Sequence, residues 1–216
     1  MGVWQGPKLG ATPEQDSFNL TQLERLYRPE ARAKMTQISA TDDPAQSCVP
    51  QPFPRAAVLG GPIQIVQRPG MMLVLTEAFH TFRYVPTDGR GHQSNDYLFP
   101  TFVGHAAGRW EGDTLVVDVI RFRQPWLAGS GDRPTQTSTG VWPTSEALRV
   151  VERWRRVDPD TLEYQARVED SSMLTAPWDS PRILLKRLPS NQIGEVKCLV
   201  DDPVTPPASY LAQFGR

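Results

Sequence analysis

The sequence is poor in the residue types that carry most recognisable chemistry. Its 216 residues include only two cysteines, Cys48 and Cys198, and three histidines. Two cysteines cannot make a disulfide framework, so one bridge and two small buried thiols are both open readings. A bridge would clip the segment before the main strands to the last strand and would imply an oxidising compartment. No apolar run approaches the ~18 residues that a membrane-spanning helix needs. Lys+Arg 23 against Asp+Glu 24 leaves a formal net charge of -1, which removes the basic surface that nucleic acid or anionic lipid would require. There is no Gly-x-Ser-x-Gly elbow, and neither cysteine sits in an activating motif, so covalent catalysis is not expected. No glycine-rich loop has phosphate or dinucleotide spacing, and the histidines lack the close spacings of metal motifs. No cofactor and no metal are therefore expected. The opening "MGVWQGPKLGATPEQD" has no apolar core, so no export signal is expected, and that alone does not assign a compartment.

What the chain does have is turn chemistry. Pro 21 and Gly 16 suit many short strands better than long helices. Residues 1–62 read as an N-terminal arm on a core. In it, Leu20, Leu23, Leu26 and Tyr27 have helical spacing, Pro29 suits the first turn of a second helix, and "DDPAQSCVPQPFPRAAVLGGP" reads as an ordered surface loop. From residue 63 the pattern turns to period two. "IQIVQR" and "MMLVLTE" flank Pro69-Gly70 as a hairpin; "HTFRYV", "DTLVVDVIRFR", "LRVVERWRRV", "LEYQARVED", "RILLKRL" and "GEVKCLV" continue the series. Residues 91–109 read as a polar and aromatic loop. The expectation for 63–216 is all-β: an antiparallel meander of about eight strands closed into a lipocalin- or calycin-like barrel, able to hold one small ligand. A two-sheet sandwich is the competing architecture.

Side-chain parity sorts the polar residues. In "LRVVERWRRV", Leu148, Val150, Glu152 and Trp154 share the apolar face, so Glu152 is expected inside. An inward carboxylate is either half of a buried ion pair or a tuned acid or base. Asp118 shares a face with Val116 and Ile120. If that face is inward, Asp118 and Glu152 form an internal pair of acids suited to acid–base work; the alternative is an arginine neutralising Asp118 at the rim. His80, His92 and His105 fall in one quarter of the chain, and histidine is the side chain most easily poised near neutral pH. His80 opens a strand on the same face as Phe82 and Tyr84. Trp110, Trp154, Tyr97 and Phe102 stand with them as pocket walls, against the alternative that buried aromatics are simply core. "GRWEGD" reads as a turn, with Gly112 and Asp113 serving the backbone and Trp110 covering a barrel end.

The run "GHAAGRWEGDTLVVDV", with "HTFRYVPTDGRGH", "ALRVVERWRRVDPDTLEYQARVED", a late "PW", a "DPAQSCVPQPFPR" arm and the cysteine of "EVKCLV", resembles a bacterial β-barrel family that shares a GHxxGRWEGDTLVVD-type core. The resemblance spans roughly residues 40–200 and matches His80, His92, His105, Trp110, Glu111, Asp113, Asp118, Glu152 and Glu169. It implies one barrel domain and relatives that carry export signals, with no activity attached. Tyr84, where the family tends to have an arginine, and the aromatic "AFHTF" imply a pocket for a flat or apolar compound.

The first functional expectation is a cofactor-independent acid–base enzyme, an isomerase, cyclase or lyase acting on a small, largely apolar or aromatic molecule inside the barrel. His80 would be its acid or base, Asp118 and Glu152 its partners, and His105 and Tyr84 further donors. Trp110, Trp154, Phe82, His92, Tyr97 and Phe102 would bind the substrate. The second is a lipocalin-like carrier that binds without chemistry. The third is a scaffold whose 1–62 arm makes a homodimer.

Overall fold

A computed structural model describes residues 1–7, 20–39, 42–57, 61–92, 99–123, 126–128 and 141–194. Ten strands share one antiparallel sheet: β1 (Gly2–Gln5), β2 (Ile63–Arg68), β3 (Met71–Thr76), β4 (Thr81–Pro86), β5 (His105–Glu111), β6 (Thr114–Ile120), β7 (Arg149–Asp158), β8 (Thr161–Glu169), β9 (Trp178–Asp179) and β10 (Ile183–Arg187). Their order is β4-β3-β2-β1-β10-β8-β7-β6-β5, with β9 pairing the part of β8 beyond β10. The sheet curls until β4 and β5 lie side by side, giving a nearly closed barrel of nine strands. No ladder joins those two strands, so a seam remains. Gly108 sets how closely it shuts: a Cβ there would lie 2.9 Å from Val85 Cγ1 and 3.1 Å from Pro86 O.

The period-two pattern fixes the two sides of the wall. Across β6, β7 and β8, Leu115, Trp154 and Tyr164 align, as do Val117, Glu152 and Ala166, and Val119, Val150 and Val168. These rows are buried and face in, beside Ile63, Met72, Val74, Val85, Ile183 and Leu185. Each fully buried aliphatic contributes ~1.5–3 kcal/mol relative to exposure, so the alternation itself selects this side as the core.

The N-terminal residues are more deeply involved than an arm laid on a barrel. β1 is inserted between β2 and β10, and its Trp4 is buried. α1 (Leu20–Leu26) and α2 (Pro29–Met35) cover the barrel end near the start of β7, burying Leu20, Leu23, Ala31 and Met35, with Pro29 in the first turn of α2. The Tyr27 hydroxyl donates to Pro143 O at 2.7 Å, tying the helices to the 141–148 segment. The proline-rich loop is not merely superficial either. Buried Arg55 donates to Asp43 at 2.7 and 2.9 Å and to Gln51 at 2.8 Å, and this anchors a loop that sends Phe53 into the core. Cys48 is disulfide-bonded; Cys198, the other cysteine of the sequence, lies outside the described residues, as does most of the "GEVKCLV" strand expectation.

Two local expectations change. Residues 105–109 belong to strand β5, not to a loop, because the small Ala106 and Gly108 fit the tight seam and alternate with outward His105, Ala107 and Arg109. "GRWEGD" is accordingly half strand and half turn, with Gly112 at φ 63 making the bend that an L side chain resists.

Candidate functional site

Three places in the molecule gather the residues singled out by the sequence: the barrel interior, the outer side of the seam, and the open mouth.

The interior is built around one ion pair. Glu152 (0 % exposed) accepts from Arg83 Nη1 and Nη2, both at 2.6 Å, and from Trp154 Nε1 at 2.9 Å. Arg83 also lies 4.8 Å from the centroid of the Phe53 ring. Phe53, Trp154 and Tyr164 form a mutually tilted aromatic cluster, with centroids 4.5 to 5.8 Å apart. Burial works against the Arg83 charge, but the charge and hydrogen bonds of Glu152 outweigh it and raise the Arg83 pKa. Burial, reinforced by the Glu152 charge and opposed by Arg83, holds the Tyr164 phenol well above its usual range. Both Glu152 oxygens are thus occupied in a filled core. Glu152 is half of a buried ion pair, one of its two expected roles.

Asp118 is on the other side of the wall. It aligns with Ala107 and Val151, and faces outward with Arg149, which donates to it at 2.8 and 3.1 Å. Of the two expectations for Asp118, the interior pair with Glu152 does not hold and an arginine meets it instead: one residue of parity separates adjacent sides of a strand. Asp118 belongs to a ladder of ion pairs on the outer face of β5 to β9, in which Arg149 and Arg167 meet Glu169, Arg167 meets Asp179, and Arg109 and Arg153 share Glu111. The two arginines hold the Glu111 carboxyl below its ordinary range.

The seam cleft, about 350 Å³, is lined by Phe82, Tyr84, Arg90, His92, Thr101 and His105 among others. Four of the expected site residues meet here. His92 Nε2 lies 3.4 Å from Asp118 Oδ2, without hydrogen-bond alignment. His105 Nε2 is 2.7 Å from Phe99 O. A carbonyl only accepts, so in the neutral ring Nε2 carries the proton and Nδ1 keeps its lone pair. Phe82 (66 % exposed) and Tyr84 stand outside the barrel wall, because β4 turns Arg83 and Val85 inward.

The mouth, about 260 Å³, opens at the end where β7 meets β8. Trp4, Ile65, Met72, Leu115, Trp154 and Leu162 line it, with Trp110, Gln67, Asp113, Arg156 and Arg187 around its rim. Trp110 aligns with Leu115 and Trp154, so it faces in, yet it is 47 % exposed. Among the described residues β5 is the last strand in the sheet order, so no further strand pairs beyond it at this end of the row.

Comparison with protein-family models, with curated proteins and with solved structures returns no match to this chain.

The remaining expected residues lie apart. His80 is exposed in a short 3-10 turn before β4, at φ 45, outside the core that buries Glu152. Phe102 packs under Arg123, whose guanidinium carbon is 5.2 Å from the ring centroid. Tyr97 lies outside the described residues. Among the described residues no group of three or more His, Cys, Asp or Glu is placed to hold a metal. Sequence reasoning missed Arg83, Trp4, Arg156 and Arg187. Parity on "HTFRYV" marks Arg83 as inward once Phe82 and Tyr84 are outward. Trp4 had no such signal, because a four-residue strand is too short to show periodicity.

Proposed function

We propose that this protein binds a small, largely apolar or aromatic molecule in the mouth of its barrel. The observation that carries the reading is the row Trp110–Leu115–Trp154 with Trp4 and Met72: inward-facing apolar side chains that surround an open cleft of about 260 Å³. That is near the small end of ligand pockets, ~300–1,000 Å³, and the walls are apolar with a few polar groups at the rim. Binding without chemistry, as in lipocalin-like carriers, is favoured at this site because Glu152, the carboxylate nearest its inner wall among the described residues through its bond to Trp154, is committed to Arg83.

The acid–base enzyme is the second reading, and it moves from the interior to the seam. What favours it is the meeting of Tyr84, His92 and His105 in one cleft, with Asp118 behind His92 and a lone pair on His105 Nδ1. An isomerase, cyclase or lyase there would use His105 as base, Tyr84 as proton donor and Asp118 to orient His92. The family resemblance in the His105–Asp118 run bears on both readings, since it spans one wall of each cleft. A homodimer remains a separate proposal that neither cleft requires.

Titration of the ¹⁵N-labelled protein with 1-naphthol tests the assignment. The expected result is movement of the Trp4, Trp110 and Trp154 indole signals. Movement confined to the imidazoles of His92 and His105 would shift the site to the seam, and no movement at either place would remove the binding reading. Chemical recovery of a bound compound from long incubations separates carrier from enzyme.

A further inference from the structure

The rim of the mouth carries charges that the apolar walls do not explain. Arg156 and Arg187 both follow the inward parity of their strands, after Trp154 and Leu185 respectively. Neither has a carboxylate partner among the described residues. Arg156 donates to Asp158 O at 3.3 Å and Pro159 O at 2.8 Å, and its guanidinium carbon lies 5.9 Å from the Trp4 ring centroid. The Arg187 side chain makes no hydrogen bond or ion pair among the described residues, although its backbone N–H donates to Asp160 O at 2.9 Å. Elsewhere on this half of the barrel the rule is the reverse: Arg149, Arg153, Arg155, Arg167 and Arg182 each meet a carboxylate. Among the described residues Asp113 is the single acidic residue lining the mouth, against two guanidiniums.

Resting on the mouth as the binding site, we infer that the ligand is an aromatic or apolar carboxylate, with its ring or chain among Trp4, Trp110 and Trp154 and its anionic end at Arg187 and Arg156. A guanidinium presents paired donors in the geometry a carboxylate accepts, and its strength rises where tryptophans exclude water. Arg156 is held in place by the two carbonyls it already contacts, so its orientation is set before a ligand arrives. The Arg187 guanidinium has no donor committed among the described residues. The three tryptophans alone would also suit a cationic ligand through their ring faces, but two guanidiniums at the same rim, without a carboxylate partner among the described residues, oppose one.

Three probes with one naphthalene ring separate these cases by isothermal titration: 1-naphthylacetate, 1-naphthylacetamide and 1-naphthylmethylammonium. The acetate is expected to bind at least tenfold more tightly than the amide, and the ammonium most weakly. Arg187→Gln should weaken the acetate far more than the amide and so narrow the gap between them, and the unfolding midpoint of that variant should match the parent because the side chain is exposed. Equal binding of acetate and amide, or tightest binding of the ammonium, would overturn the carboxylate while leaving the mouth as the site. Binding of none of the three, or binding indifferent to Trp110→Ala, would overturn both.

Discussion

Arg83 and Glu152, 69 residues apart in the chain, are joined by two 2.6 Å hydrogen bonds across the barrel interior. Arg83 is on β4 and Glu152 on β7, and the seam between β4 and β5 runs beside them. The side chains thus tie the β4 edge of the sheet to β7, two strands in from the β5 edge, across an opening that backbone hydrogen bonds between β4 and β5 do not close.

Glu152→Ala should therefore be severe. It strands the Arg83 charge in the core and removes the acceptor of Trp154 Nε1, a loss of ~3–5 kcal/mol for a buried pair broken from one side. The double variant Arg83→Met/Glu152→Leu should lose less than the single one, because neither charge is left alone. Urea unfolding with unchanged slope measures both. A double variant worse than the single would show that the pair does more than neutralise itself.

Tyr164 gives a pH signature. Its hydroxyl is buried and without a hydrogen-bond partner among the described residues. Tyr164→Phe should be neutral or up to ~1 kcal/mol more stable near neutral pH. The folded-state pKa of Tyr164 is raised above the unfolded value of about 10 by burial and then by Glu152. The neutral phenol is thus the form the fold keeps, and its contribution is intact below about pH 10 and is lost as pH rises from there toward the folded pKa. Tyr27 is raised too, by burial first and then by Asp170 and Glu24, so the variant should keep part of the alkaline slope. Unfolding midpoints at about pH 9 and about pH 11 should fall less in Tyr164→Phe than in the parent; equal falls would rule out Tyr164 as a source.

Gly108→Val probes the seam. Its side chain would enter space already held by Val85 Cγ1, Thr87 Cγ2 at 3.0 Å and Pro86 O. Overpacking of this kind costs ~1–3 kcal/mol, and the strain should appear as faster amide exchange in β4 and β5 than in β7 and β8. Uniform exchange rates across the barrel would argue that the seam is not its weakest line.

Trp110→Ala separates binding from folding. A half-exposed side chain on an edge strand should change stability by no more than ~1 kcal/mol. Affinity for 1-naphthol should fall at least tenfold, since one wall of the mouth is gone. Retained affinity with a normal fold would place the compound elsewhere.

The antiparallel barrel was legible because alternation needs only adjacent residues. "LRVVERWRRV" sorts into two faces by parity alone, and Glu152 inside follows from Val150 and Trp154 beside it. Asp118 was not decidable in the same way: Val116, Val117 and Val119 are all fully buried, so apolar residues occur on both sides of β6 and parity loses its sign. His92 and His105 had suggestive positions but no sequence spacing that joined them. They meet because the β5 edge and the loop after β4 come together at the seam.

By itself, the sequence determined the period-two strands, the turns at Pro69-Gly70 and Gly112-Asp113, the helical stretches and the inward Glu152, all of which depend on neighbours along the chain. Only the tertiary structure decided which arginine neutralises Glu152, that Gly2–Gln5 becomes part of the sheet, and that Trp4, Arg156 and Arg187 share one mouth. Those depend on how far the sheet curls and where it fails to close. Such properties are set by packing among strands distant in the chain, which local pattern does not contain.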